Sequence, residues 1–527
     1  MLGSIKKISQ LPLLLTEGLL TIIFACLAGA AYTWNRTSIF YAGEVYFVDG
    51  DCFARMARVR LTEEAIFQPL RQHGFENFPF GTIPHTTAPL DYLIIFLHSM
   101  LIPITENALA VAGAFISPLL GVATVVFLSV WSQATRVPLR WPMLILFAFS
   151  PITAHAFLMG RPDHQSLILA LVTVALAAEI SLWKNDRRSW AYVSAAAWGL
   201  ALWVSLFEPL VVLGLVLTAR ALRWQFGPPI PHWRRIGPLA VFFGILALSL
   251  IWEGWRSPGF DPAFARWALT IGELRHGSLG TLLNWGGLMA IAAPALLLFI
   301  FWKHRQREAL LWCGAILVFA ALTYWHVRWG YFFALILALS LPVALAAFRS
   351  KAFAIMLFVV ALWPIAAAWE ETLYPENDVF RARIEQLADA VALRDVSLQM
   401  TDPAGGGVLA PWWFSPAVVW WSGLPCIGGS SHQSLPGIVD SAKFYLATDD
   451  ADALNILRSR DVTYVIAYEP SRLEENSAQV LGTPIPPNAL IRRISPPSKD
   501  KPAFLDPIYA NRFFQLFRVD RVSADFQ

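Results

Sequence analysis

Stretches of roughly twenty apolar residues recur along this chain, and they constrain its fold more than any other feature. A bilayer core about 30 Å thick takes about 20 apolar residues to cross as a helix. Runs of that kind lie near residues 12–32, 108–130, 141–159, 164–183, 190–205, 206–222, 237–252, 282–302, 309–325, 330–348 and 352–369. A shorter run, 90–104, sits behind Pro84, Pro89 and Asp91. Of the 527 residues 56% are hydrophobic and 15% charged, against about 25% charged in an average soluble domain. Disorder, a collagenous fibre and an ordinary cytosolic enzyme are therefore excluded. The net charge of +3 is nearly balanced and leaves no nucleic-acid footprint.

Loop charges set the orientation. Lys6 and Lys7 precede the first run, which reads as a retained signal anchor. The basic loops are Lys6/Lys7, Arg136/Arg140, Lys184/Arg187/Arg188, Arg220 to Arg235, Lys303/Arg305/Arg307 and Arg349/Lys351. They share one side of the membrane if 90–104 lies along the outer surface and does not cross. The N-terminus is then cytoplasmic and the C-terminus extracytoplasmic. From about residue 371 the composition changes. Residues 376–402 are charged and helix-like, and Gly405-Gly406-Gly407 and short apolar strands such as Val462 to Ala467 follow. The expected fold is a polytopic α-helical membrane domain of about 11–13 helices over 1–370, with outer loops 33–107 and 253–281. A soluble α/β domain follows over 371–527. Cys26, Cys52, Cys313 and Cys426 make no disulfide framework and read as free thiols, with a Cys52–Cys426 pairing left open.

On that topology the ionisable clusters collect on the outer face. In Asp49-Gly50-Asp51 two carboxylates separated by a glycine can converge on one divalent cation, since hard cations take oxygen ligands. The same dipeptide is also a common turn. Arg55 and Arg58 follow. Arg161-Pro162-Asp163-His164-Gln165 packs three ionisable groups into a very short loop between two crossings, where charge is costly and usually has a role. Asp163 can equally cap the next helix. Glu273, in Thr270-Ile271-Gly272-Glu273, is followed by Arg275 and His276. Arg328 stands among Tyr324, Trp325, His326, Trp329 and Tyr331. There its planar fork suits phosphate, or it snorkels within an aromatic belt. Glu208, before Pro209, is a further candidate without independent support. No P-loop, dinucleotide fingerprint, metalloprotease helix or nucleophile elbow is present. An outer-face reaction needs a donor delivered through the bilayer, and a polyprenyl-linked sugar is that class.

Order and spacing together resemble the catalytic subunit of oligosaccharyltransferases, within the GT-C glycosyltransferase superfamily. Asp49-Gly50-Asp51 is similar to the acidic motif of that family's first outer loop, and Gly160 to Gln165 to its second acidic motif. Thr270-Ile271-Gly272-Glu273 is similar to its TIxE motif, and Arg328-Trp329-Gly330-Tyr331-Phe332 to its Arg-aromatic motif. Pro411-Trp412-Trp413-Phe414-Ser415 occupies the place of its WWDYG motif, with Phe414 where the family carries Asp. Gln165 likewise replaces a common carboxylate.

The resemblance implies a site around Mn²⁺ or Mg²⁺ held by Asp51 and Asp163 with Asp49 and Gln165. Asp51, Glu273 and Asp49 would be catalytic. Arg328 and His326 would bind the donor phosphate, and Trp412, Trp413 and Glu273 the acceptor. The implied activity moves a glycan from a polyprenyl-(pyro)phosphate donor to an acceptor, protein asparagine by default, in the cell (inner) membrane. Phe414 cannot accept a hydrogen bond from the acceptor, so a lipid or polysaccharide acceptor, receiving a single sugar from a polyprenyl monophosphate, is the alternative. The expected partners are the lipid-linked donor, an acceptor protein or glycolipid, and membrane lipids, with no nucleic acid. A transporter or flippase is the rival from another class. Transporters place polar groups near the bilayer midplane, commonly in paired repeats. Here the charges stand at helix ends and no repeat is visible.

Overall fold

The computed structural model describes residues 11–84, 88–184, 188–224, 233–255, 261–401, 405–495 and 500–520. Lys6, Lys7, Arg187 and residues 225–232 lie outside them. The chain divides into two compact units. One comprises Met1–Thr37, Ala114–Ser249 and Arg275–Pro375, and the other Ser38–Gly113, Leu250–Leu274 and Glu376–Gln527.

The first unit is helical. Among the described residues, six helices are long and apolar enough to cross a membrane: Ala108–Ala134, His164–Trp183, Ile236–Glu253, Arg307–Trp325, Val327–Leu345 and Lys351–Leu373. Helix Gly330–Leu345 is the core of the unit, with every residue except Val343 buried. Helix Trp233–Glu253 instead exposes Leu239, Phe243, Leu248 and Ile251, as suits a peripheral helix facing lipid. Two apolar runs are not single helices. The stretch 141–159 divides into Arg140–Phe149 and Pro151–Ala156, because a residue before proline is pushed out of the helical region and Ser150 adopts ψ 125°. Helices Leu279–Gly286 and Met289–His304 meet at 83°. A crevice of about 480 Å³, lined by apolar residues including Ala30, Trp34, Phe149 and Ile365, lies in the same unit.

The second unit is assembled from all three of its sequence stretches. Its sheet runs in the order Gly407–Leu409, Val462–Ala467, Gln515–Val519, Leu505–Ala510. The first pair is parallel and the other two antiparallel. Strand Val462–Ala467 is buried along its whole length, which is why it reads as a continuous apolar run. The first long loop docks through its backbone: Cys426 N–H donates to the Phe75 carbonyl at 2.9 Å, and Phe78 N–H to the Cys426 carbonyl at 3.1 Å. Arg460 Nη1 donates to Asn77 Oδ1 at 2.9 Å. The second loop docks through Ala263 and Trp267, which join Leu435, Ile438, Ala442 and Val480 in one apolar cluster.

Run 90–104 becomes helix Ala88–Leu101 in this unit. Its 14 residues rise about 21 Å, too short for the bilayer core. It buries Leu90, Asp91, Ile94 and Ile95 and exposes Phe96 and Met100, the pattern of a helix lying in a surface. All four cysteines are free thiols, with Cys52 and Cys426 both buried.

Candidate functional site

In the second unit, helix Gly50–Glu64 begins at Asp49, whose extended backbone lets its side chain accept from Cys52 N–H at 3.0 Å. Asp49 is thus an N-cap, and Asp51 stands exposed in the first turn. Gly50 is required by a close approach: a Cβ there would stand 3.0 Å from the Trp413 carbonyl oxygen. The acidic loop therefore lies directly against the Trp412-Trp413 segment. Glu273 occupies a single 3-10 turn, Gly272–Leu274, and is half-buried. The segment that carries it is anchored by Trp267, whose ring lies 5.8 Å from Trp412 at 66°. So this unit brings together Asp49, Asp51, Trp412, Trp413 and the segment bearing Glu273. The indole N–H groups of Trp412 and Trp413 are buried and meet no partner among the described residues.

Phe414 has a packing reason to be there. Its ring meets Trp413 at 5.7 Å, Tyr468 at 5.1 Å and Phe514 at 5.3 Å. A carboxylate in that corner would be desolvated among aromatic rings.

Two other groups of buried charge lie in this unit. Arg55 and Arg58, which the sequence associates with the acidic loop, reach instead to Asp91 at 2.8 and 2.7 Å. Glu76 is a buried carboxyl that accepts from the Ser431 hydroxyl at 2.8 Å. Burial pushes it up to about 7, against the opposing effects of the Ser431 and Ser430 hydrogen bonds. Nothing in its local sequence, Phe75-Glu76-Asn77, distinguishes it.

In the first unit, Asp163 lies just before helix His164–Lys184. Arg161 Nη2 approaches it at 3.2 Å and His164 Nδ1 at 2.5 Å. Burial alone would raise Asp163, but His164 and Arg161 outweigh it and hold its carboxyl well below the usual range. Arg161 Nη1 also contacts His155 Nδ1 at 2.8 Å, and His155 in turn meets the Tyr331 hydroxyl at 3.0 Å. His155 is the member of this network that sequence reasoning missed. Gln165 is buried, and its Nε2 meets no partner among the described residues.

Arg328 sits in the turn Val327–Trp329 that opens helix Gly330–Leu345. Its Nη2 donates to Glu208, which the Ser205 hydroxyl also reaches at 2.8 Å. Glu208 is 1% exposed, whereas the Arg328 side chain keeps 24%. His164 lies within electrostatic reach of Asp163, Glu208 and Arg328, so the two ion pairs form one connected set. His326 is half-buried, 4.3 Å from the Trp325 ring and parallel to the His276 ring at 6.1 Å.

Among the described residues, no three His, Cys, Asp or Glu side chains stand together as an ion cage. Asp163 meets two cationic partners and Asp49 a backbone N–H. Within neither unit do the described side chains form a ready-made oxygen shell of the kind Mn²⁺ or Mg²⁺ takes.

Comparison with protein-family models and with curated protein sequences finds no match. Several solved structures are similar. The archaeal oligosaccharyltransferase AglB from Archaeoglobus fulgidus, in complex with an inhibitory peptide and a dolichol-phosphate, is 15% identical with a TM-score of 0.61. That match covers 86% of this chain and 69% of the other. The Archaeoglobus fulgidus oligosaccharyltransferase in complex with Zn and sulfate is 17% identical, TM-score 0.59, covering 88% and 70%. ArnT from Cupriavidus metallidurans, bound to undecaprenyl phosphate, is 14% identical, TM-score 0.53, covering 94% and 97%. At these identities the likeness is one of fold: the chain shares the fold of the AglB and ArnT structures.

Proposed function

We propose that this chain is a multi-pass membrane glycosyltransferase that takes a sugar or glycan from a polyprenyl-(pyro)phosphate donor. The observation that carries this reading is Arg328, a guanidinium with a part-exposed side chain at the start of the central buried helix, in a fold shared with proteins solved with dolichol-phosphate and undecaprenyl phosphate. Arg328, with His326, would hold the donor phosphate and stabilise charge on the leaving group. An acceptor nucleophile would attack the anomeric carbon, with inversion, as the bond from that carbon to the phosphate oxygen breaks. The acceptor proton would pass to a carboxylate, and Asp51 and Glu273, with Asp49, are the residues assigned to that work. The indole N–H groups of Trp412 and Trp413 are donors suited to an acceptor's oxygen atoms.

Protein asparagine is the default acceptor in this reading, and the bound peptide of the AglB structure supports it. A second reading is transfer of a single sugar from a polyprenyl monophosphate to a lipid or polysaccharide. It is favoured by the aromatic corner around Phe414 and by the near-complete coverage of ArnT, at 97% of that chain. A requirement for Mn²⁺ or Mg²⁺ belongs to the proposal and is supported by the zinc of the AglB structure. The extracytoplasmic position of the C-terminal domain is supported by the loop charges of the sequence, which share one side if 90–104 does not cross.

The test is transfer in a membrane preparation, comparing the chain with its Asp51→Ala/Glu273→Ala variant. The double change is expected to cost on the order of 100-fold or more in rate, and transfer at the unaltered rate refutes the assignment. Separate arms with a pyrophosphate-linked glycan and a monophosphate-linked sugar decide between the two readings. An arm with EDTA, restored by Mn²⁺, decides the metal requirement.

A further inference from the structure

Glu208 is an acid singled out in the sequence that the proposed reaction leaves without a task. It stands in the first turn of helix Phe207–Trp224, is 1% exposed, and accepts from both the Ser205 hydroxyl and Arg328 Nη2. The neighbouring Phe207 ring lies 5.5 Å from Trp329, the residue after Arg328, so the two elements are packed as well as paired. We propose that Glu208 is a positioning residue for the donor-phosphate site: its carboxylate holds the Nη2 corner of the Arg328 guanidinium and offsets part of its charge. The inference rests on the reading of Arg328 as the phosphate-binding group.

The physical argument has two parts. A guanidinium carries five N–H donors in one plane, and a buried carboxylate oxygen held at Nη2 restricts the rotation of that plane about the side-chain axis. The orientation is then set before the donor arrives, and Ser205 fixes the carboxylate in turn. The second part is charge. In a partly buried site an uncompensated guanidinium attracts a phosphate strongly, and a leaving polyprenyl phosphate would be released slowly. A carboxylate behind the guanidinium weakens that hold. A simple structural ion pair would behave differently, since its loss disturbs the site and loosens every ligand. The two roles therefore predict opposite signs for phosphate affinity once the carboxylate charge is removed.

The experiment uses the full chain in lipid nanodiscs, with undecaprenyl phosphate as the probe for affinity and undecaprenyl-phosphate-linked sugar as the donor for turnover. Glu208→Gln keeps shape and a hydrogen-bond acceptor but removes the charge. It is expected to bind undecaprenyl phosphate roughly tenfold more tightly and to turn over roughly tenfold more slowly. Glu208→Asp keeps the charge and is expected to bind within about twofold of the unaltered chain. Equal or weaker binding by a folded Glu208→Gln variant overturns the inference. If that variant does not fold, Ser205→Ala decides: both charges remain, so affinity should hold while turnover falls about threefold, and unchanged turnover overturns the inference. Arg328→Ala is the separate arm for the underlying reading. It should lose at least about tenfold in affinity, and full retention defeats the phosphate role of Arg328 itself.

Discussion

Each unit buries a small constellation of arginine and carboxylate, and the two differ in where they end. In the second unit Arg55, Arg58 and Asp91 have side-chain exposures of 3%, 7% and 3%, and both guanidinium groups turn onto a single carboxylate. In the first unit Asp163, Arg161 and Glu208 are as deeply buried, but the set runs on to Arg328, whose side chain reaches the surface. The first arrangement is enclosed and the second opens outward. A buried ion pair is weak evidence for stability, because desolvation offsets much of the attraction. It becomes evidence for a site when one member can still be reached by a ligand. That difference separates Arg328 from Arg55 and Arg58, three arginines that look alike in composition.

The comparison can be broken first at its enclosed end. Asp91→Asn leaves two buried guanidinium groups facing a neutral amide, and the expected loss is about 3–5 kcal/mol of stability. A fall in Tm measured in detergent checks it, and an unchanged Tm would dissolve the contrast between the two constellations. A smaller effect belongs to Glu76, whose folded carboxyl titrates at about 7 against an ordinary value of 4.5. Its contribution to stability is fully present below about pH 4.5 and is lost as pH rises through about 7, a change of about 3 kcal/mol. The Tm of the unaltered chain should fall across that window, and Glu76→Gln should flatten the fall. The smallest effect is on the surface. Arg381→Ala removes an exposed pair with Asp378 at 4.0 Å and should shift Tm by less than about 1 °C.

The sequence made the helical unit legible because lipid-facing helices are written in long apolar runs, and breaks such as Ser150-Pro151 carry their own signal. It placed the charged residues of interest but not all of their partners. Glu208 could be noticed beside Pro209, yet its mate Arg328 lies 120 residues further on, and no local period links them. Arg55 and Arg58 were visible next to Asp49-Gly50-Asp51, and adjacency suggested a shared role. The helix instead buries them toward Asp91, while Asp51 stays exposed in the first turn. Phe414 shows the opposite case. Its departure from the expected aspartate was plain from the sequence alone, and the rings of Tyr468 and Phe514 give the reason. Glu76 was silent, since only the fold brings Ser431 to it across 355 residues.

The composite origin of the second unit has a consequence for how the protein is made. Its early stretch, with Asp49, Asp51 and Glu76, leaves the ribosome long before Ser431, Arg460 and the strand Gln515–Val519 exist. Synthesis at about 5–20 residues per second imposes a wait of tens of seconds. During that wait the apolar helices of the other unit are already being threaded into the bilayer. The acidic loop is therefore translated early but meets the partners that hold it only once most of the chain has been made.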